Sequence, residues 1–363
     1  MKQIGEIDRN LAVKGTINGE KLCFYDSFDP PFKTFGAVSE LRERYLRIPS
    51  SVAENTGTDI VALNRDTSGI RVRFRTDSSK IAVRAKMPNV CLMPHMAFCG
   101  SSGFDMYINE NESEKYAGTF IPPLDRGDSY ESMITLAGRC MRSITINFPL
   151  YDAVSELLIG LEPDSLIEPC GSYRNDRPII FYGSSITQGG CASRPGNCYS
   201  AIISRNLNCD YRNLGFSGNA RGEQPIADYI ASQPMELFFC DYDHNAPDPE
   251  YLKKTHEPLF LTVREKNPDL PVILATRTDI PRMPDSEKDF AERRKIVHRT
   301  YENAVKRGDK NIIFIDGSKV FMESCELNLN PDCCTVDGCH PNDLGFACMA
   351  KVYGAAISKM LEW

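Results

Sequence analysis

From Pro178 onward the chain repeats one pattern: a short, wholly apolar run, a polar loop, then a stretch with helical spacing. The runs are Ile179–Tyr182, Leu237–Cys240, Val272–Ala275 and Ile312–Ile315, with Asp210–Leu214 as a weaker member. Four apolar residues in a row, with no polar alternation, read as a strand buried on both faces. Between and after them, Tyr251–Lys266, Ser286–Arg307 and Asp343–Trp363 carry apolar residues at helical intervals. Strands that alternate with helices fold as a doubly wound α/β layer structure around a parallel sheet. In such sheets the working residues collect in the loops at the carboxyl ends of the strands.

The chain reads differently before about residue 170. Ile70–Phe74, Ile81–Ala85 and Ile144–Phe148 alternate apolar and polar residues, the period of a strand with one buried face. Turn-forming clusters separate them: Thr76–Ser79, Asn109–Asn111 and Asp125–Asp128. With no long amphipathic helix in this half, two packed antiparallel sheets are expected, an all-β sandwich of the jelly-roll kind. The polar, turn-rich Glu168–Arg177 reads as a linker, giving a β-sandwich domain over 1–170 and an α/β domain over 177–363. A length of 363 residues suits two domains.

Bulk properties exclude several classes. A formal charge of −7 without a lysine or arginine run argues against nucleic acid or an anionic membrane as partner. No window reaches the ~18 to 20 apolar residues of a membrane span. Met1–Asn10 has no continuous apolar stretch, so no secretory signal is expected and the protein is read as cytoplasmic. The 14 cysteines form no Cys-x-x-Cys pair, so neither a metal nor any other cofactor is expected, and reduced buried thiols are. Cys333, Cys334 and Cys339 are the one group where a disulfide would matter. A homo-oligomer is left open.

Two segments carry the chemistry. Gly183-Ser184-Ser185-Ile186-Thr187 puts a hydroxyl at the end of the first apolar run. Asp337-Gly338-Cys339-His340-Pro341-Asn342 puts a carboxylate and an imidazole three residues apart, just before the final helix. A carboxylate at that offset can hold the far N–H of the imidazole while the ring takes the serine proton. An ester hydrolase also needs donors for an oxyanion. Asn213–Asn219 supplies glycines that allow close approach, and Asn245, after the second apolar run, supplies an amide.

In order and position these blocks resemble those of the SGNH (GDSL-type) hydrolase family, over roughly residues 177–363. The resemblance implies a flavodoxin-like α/β/α fold, Ser185 as nucleophile, His340 as base and Asp337 as its orienter. It also implies an oxyanion hole made by the Ser185 and Gly218 amides and the Asn245 side chain. Gly103-Phe-Asp105-Met-Tyr107 is similar to the Gly-x-Asp-Leu-Tyr signature of a β-sandwich that precedes some of these hydrolases. Two departures stand out: Ser184 occupies the place of the family's usual Asp, and Asn245 follows Tyr242-Asp243-His244 instead of Gly-x.

Two-domain relatives of this kind resemble esterases that remove acetyl groups from carbohydrates. The loop Gly189–Asn197 is polar and has no apolar stripe for a long acyl chain. A short acyl ester of a small molecule or oligosaccharide is therefore the expected substrate, with Arg194 facing it. The competing readings are a lipase or thioesterase for longer chains and an inactive glycan-binding protein.

Overall fold

The computed structural model describes residues 4–8, 17, 19–38, 45–110, 113–278, 280, 284–324 and 329–363. Asn111 of the expected turn and Cys325 lie outside that set.

Among the described residues the first half holds ten strands: β1 (Cys23–Asp26), β2 (Lys33–Phe35), β3 (Arg71–Thr76), β4 (Lys80–Lys86), β5 (Phe104–Glu110), β6 (Ser113–Phe120), β7 (Ser129–Thr135), β8 (Arg142–Asn147), β9 (Glu156–Leu161) and β10 (Ile167–Glu168). They pair antiparallel in two sheets, ordered β1-β9-β4-β7 and β10-β3-β8-β5-β6, with β2 added beside β3. Alternation explains their packing. Val72 and Phe74 of β3 and Ile144 and Ile146 of β8 meet Ile81, Val83, Ile159 and Leu161 of the facing sheet in one core. The three expected strands lie within β3, β4 and β8.

The second half builds a five-stranded parallel sheet from β11 (Ile179–Gly183), β12 (Tyr211–Gly215), β13 (Leu237–Asp241), β14 (Val272–Ala275) and β15 (Ile312–Ile315), in the order β12-β11-β13-β14-β15. This is the flavodoxin-like order. Both faces are covered, which is why the runs show no polar alternation. Ile180, Tyr182, Phe238 and Leu274 enter one core, while Ile179, Phe181, Phe239 and Ile273 enter the other.

Two short helices, α1 (Ser50–Thr56) and α2 (Thr58–Leu63), precede the main sandwich strands, yet Ala53 and Ile60 join a core of the parallel sheet. The second half carries α3 (Ser185–Gln188), α4 (Tyr199–Leu207), α5 (Gln224–Ser232), α6 (Pro249–Lys266), α7 (Pro284–Lys306) and α8 (Asp343–Leu361). The last three match the expected helical stretches closely. Contrary to the sequence expectation, α8 is long and apolar enough to cross a membrane by length and composition. Its Phe346, Met349, Tyr353 and Ile357 are nevertheless buried against the parallel sheet, as in a core helix.

The register of the parallel sheet positions the site. Gly183 lies level with Gly215 on one side and Asp241 on the other. The loops that carry Ser185, Gly218 and Asn245 therefore leave the sheet from one edge, beside the point where strand order reverses.

Candidate active site

Strand β11 ends at Gly183, where a side chain would overlap the Asp241 carboxylate and the Thr187 hydroxyl. Only glycine allows α3 to start so close to the neighbouring strand. Ser184 caps that helix, its Oγ accepting from the Ile186 amide at 3.2 Å. The cap survives with serine in place of aspartate because either side chain can accept an orphan amide hydrogen. Ser185 follows as the first helical residue, so its own N–H has no intrahelical acceptor.

Ser185 Oγ lies 3.0 Å from His340 Nε2, and His340 Nδ1 lies 2.9 Å from Asp337 Oδ2. A carboxylate only accepts, so the proton sits on Nδ1 and the Nε2 lone pair faces the serine. Asp337 Oδ1 also accepts from the His340 amide at 2.7 Å and the Cys339 amide at 3.0 Å. Partial burial works to raise the acid, but the hydrogen bonds from the His340 ring and amide prevail and hold it at about 2. It is a permanent anion near neutrality. Asn342 then caps α8 by accepting from the Gly345 amide at 3.1 Å, which anchors the far side of the His340 loop.

The oxyanion candidates sit on the two neighbouring loops. Gly218 adopts φ +68, with nothing within 4 Å of where a Cβ would project, so a left-handed turn faces open space. The loop is pinned to β11 by the Phe216 amide donating to the Gly183 carbonyl at 2.9 Å. Asn245 Nδ2 donates to the Phe216 carbonyl at 2.9 Å, joining its loop to that of Gly218. An amide has a second N–H to offer.

Arg194 has other partners than expected. Its Nη1 is 3.2 Å from Asp105 Oδ2 and bonds the Tyr107 hydroxyl, and its guanidinium lies 4.0 Å over the Tyr116 ring. Asp105 also accepts from the Gly196 amide at 2.8 Å and from Asn147 at 2.9 Å. The Asp and Tyr of the first-half signature thus clasp the loop that follows Ser185. Those contacts turn Arg194 toward the sandwich, with part of its side chain left exposed.

Several buried polar residues around the relay escaped the sequence reading. Tyr151 donates to the Ser185 carbonyl at 3.2 Å. Gln188 Nε2 donates to Asp66 at 2.8 Å and the Leu150 carbonyl at 3.1 Å, while its Oε1 accepts from the Ser217 amide at 2.9 Å. Arg47 reaches from the first half to the Gly215 and Asn213 carbonyls. Burial pushes Asp66 up to about 7 against the pull of Arg47 and Gln188. Asp241, also lifted to about 7 by burial, accepts from Thr187 at 2.6 Å and Tyr199 at 3.1 Å beneath the turn that carries Ser185. Asp241 alone left a trace in the sequence, as a carboxylate closing an apolar run.

Two thiols flank this arrangement. Burial and the Asp337 charge push Cys191 up to about 12, which keeps it protonated near neutrality. Cys339 Sγ lies 3.1 Å from His244 Nε2, a ring that burial drives well below its ordinary value. Among the described residues no disulfide joins Cys333, Cys334 or Cys339 to another cysteine.

Residues 176–358 match the GDSL-like lipase/acylhydrolase family. Residues 23–167 match the GxDLY family, the N-terminus of SGNH-hydrolase-type esterases. No curated protein matches the chain. Among solved structures, a GDSL-like lipase-family protein from Bacteroides ovatus ATCC 8483 superposes with a TM-score of 0.83 at 27% identity, covering 94% of this chain and 98% of its own. The salicylyl-acyltransferase SsfX3 of a tetracycline biosynthetic pathway gives 0.73 at 22% identity, with 94% and 98% covered. An acetyl xylan esterase, Est2A, from the rumen bacterium Butyrivibrio proteoclasticus gives 0.56 at 13% identity, with 94% and 99% covered. The last two share the two-part fold.

Proposed function

Because the chain belongs to the GDSL-like lipase/acylhydrolase family, and is by that membership an ester hydrolase, we propose that it removes short acyl groups, acetyl first among them, from carbohydrate hydroxyls. Ser185 attacks the ester carbonyl as His340 Nε2 takes its proton. The ring returns that proton to the leaving sugar oxygen. Asp337 holds the ring and balances the imidazolium charge in between. Water, deprotonated by His340, then attacks the acyl-Ser185 ester, releasing acetate and restoring the hydroxyl. The Ser185 and Gly218 amides and the Asn245 side chain are the donors assigned to the oxyanion of each tetrahedral intermediate.

One observation carries this reading: the unbroken contact from Ser185 Oγ through His340 to Asp337, at 3.0 and 2.9 Å. The choice of a short acyl group rests on the polar Gly189–Asn197 loop and on the fold shared with an acetyl xylan esterase. The test is hydrolysis of para-nitrophenyl acetate by wild type and Ser185→Ala, followed by acetate release from a panel of acetylated oligosaccharides. Equal rates for the two proteins would end the serine mechanism. Faster turnover of octanoyl than acetyl esters would favour the longer-chain reading.

A further inference from the structure

Three side chains of metal-ligand type, distant in sequence, converge at the mouth of the relay. His95 comes from the segment between β4 and β5, Cys191 from the loop after α3, and His340 from the turn before α8. Their ligand atoms all lie within 4.8 Å of one another. The His95 and His340 rings have centroids 5.9 Å apart. His95 is exposed and Cys191 buried, so the cluster runs from solvent into the wall of the site.

The cluster is built, not incidental. Cys191 holds φ 74, a left-handed backbone that a residue with a side chain seldom adopts. The turn behind it is fixed by the Gly189 and Gly190 amides on the Ser185 carbonyl and by the Ala192 amide on the Gly189 carbonyl. Asp337 already holds His340 Nδ1, the carboxylate–histidine arrangement that aims the other ring nitrogen at a metal. Two imidazoles and a thiolate suit a borderline-soft, tetrahedral ion such as Zn2+. Bond lengths of about 2.0–2.3 Å put ligand atoms roughly 3.3–3.7 Å apart around such an ion. From a present separation within 4.8 Å, the ligand atoms need to close by roughly an ångström.

We propose that His95, Cys191 and His340 form a Zn2+ site that switches the esterase off. Zn2+ takes the His340 Nε2 lone pair, the acceptor that Ser185 needs, and binds Cys191 as thiolate, whose proton leaves to water. The fourth position falls to water or to Ser185 Oγ. His95 belongs to the sandwich half, so the ion also ties the two halves together across the cleft. The switching rests on His340 acting as the base; the coordination does not. The other grouping at this turn, Asp337 with Cys339 and His340, is the weaker one. There Asp337 is engaged with the ring and Cys339 with His244.

The test uses the full, reduced chain with Co2+ and Zn2+ as probes. Co2+ is expected to produce a thiolate-to-cobalt charge-transfer band in wild type that Cys191→Ser lacks, and Zn2+ to abolish it at one equivalent. Zn2+ is expected to inhibit hydrolysis of para-nitrophenyl acetate, reversibly by chelation. His95→Ala and Cys191→Ser should each raise the half-inhibiting concentration at least about tenfold, relative to their own metal-free rates. His95 is exposed, so its variant does not depend on repacking. A cobalt spectrum without the thiolate band, or equal zinc sensitivity in wild type and both variants, overturns the site. A chain with no esterase activity still reports coordination through the cobalt band, so failure of the site and failure of the esterase reading are separable.

Discussion

Replacing Asp337 with asparagine tests the relay without changing its shape. Oδ1 accepts two backbone amides, from Cys339 and His340. The asparagine oxygen will keep that place and turn its NH2 toward His340 Nδ1. The ring must then accept at Nδ1 and carry its proton on Nε2, the wrong tautomer for taking a proton from Ser185. The variant also loses the charge that balances the imidazolium. Charge centres about 4 Å apart attract by about 4 kcal/mol at an effective dielectric of about 20. The Asp337 and His340 side chains are 37% and 24% exposed, and screening lowers the figure to between about 2 and 4 kcal/mol. At 1.36 kcal/mol per decade, kcat should fall about 30- to 1,000-fold. Residue 337 touches the histidine and not the substrate, so KM should move little. The assay is steady-state hydrolysis of para-nitrophenyl acetate, with Ser185→Ala as background and a thermal melt to confirm folding. A variant within about threefold of wild type, or one altered only in KM, would refute the assignment of Asp337.

Two further outcomes follow from the buried polar groups. Tyr151→Phe removes the hydroxyl on the Ser185 carbonyl, and a loss of about 0.5–1.5 kcal/mol per hydrogen bond predicts roughly a 2- to 12-fold drop in kcat/KM for the same ester; an unchanged value would show that the nucleophile turn needs no support from the first half. Asp241 has a folded-state value of about 7, above its unfolded one, so the native state holds that proton more tightly and its contribution to stability is lost as pH rises from about 4 through 7. Asp241→Asn should make the pH dependence of urea unfolding across that window less negative by up to about 1.36 kcal/mol per pH unit. Superimposable slopes for wild type and variant would contradict the burial argument.

What the sequence made legible follows from range. The apolar runs of β11, β13, β14 and β15 were readable because burial on both faces removes polar residues locally. The strands β3, β4 and β8 were readable because one face of each enters the apolar core and the other carries polar side chains, some of them buried like Arg71 and Arg73, which gives a period of two. Ser185, Asp337 and His340 stood out because each sits at the boundary of a readable element. The helices α1 and α2 did not, since in six or seven residues they bury only Ala53 and Ile60 completely and show no stripe. The pairs Asp66–Gln188 and Arg194–Asp105 span 122 and 89 residues. A polar side chain in a polar loop looks the same whether it meets solvent, a substrate or a buried carboxylate, so the contact of Arg194 with Asp105 could not be read from the sequence.

Those long-range pairs also brace the two halves against each other. Arg71 crosses from β3 to Asp210 and to the Tyr211 carbonyl at 3.2 Å, Arg47 crosses to the carbonyls of Asn213 and Gly215, and Arg194 crosses the other way to Asp105. Buried charges of this kind contribute little net stability, because desolvation offsets most of the attraction. Their anchor points in the second half, however, lie at both ends of β12 and at Arg194 in the loop after Ser185. An apolar interface would tolerate a slip of an ångström, whereas a guanidinium bonded to named carbonyls at both ends does not. Acyl transfer is sensitive to displacements of that size, since misplacing a reacting group by about 1 Å can cost about a hundredfold in rate. The sandwich is thus better understood as a back wall braced against β12 and the loop after Ser185 than as a separate module.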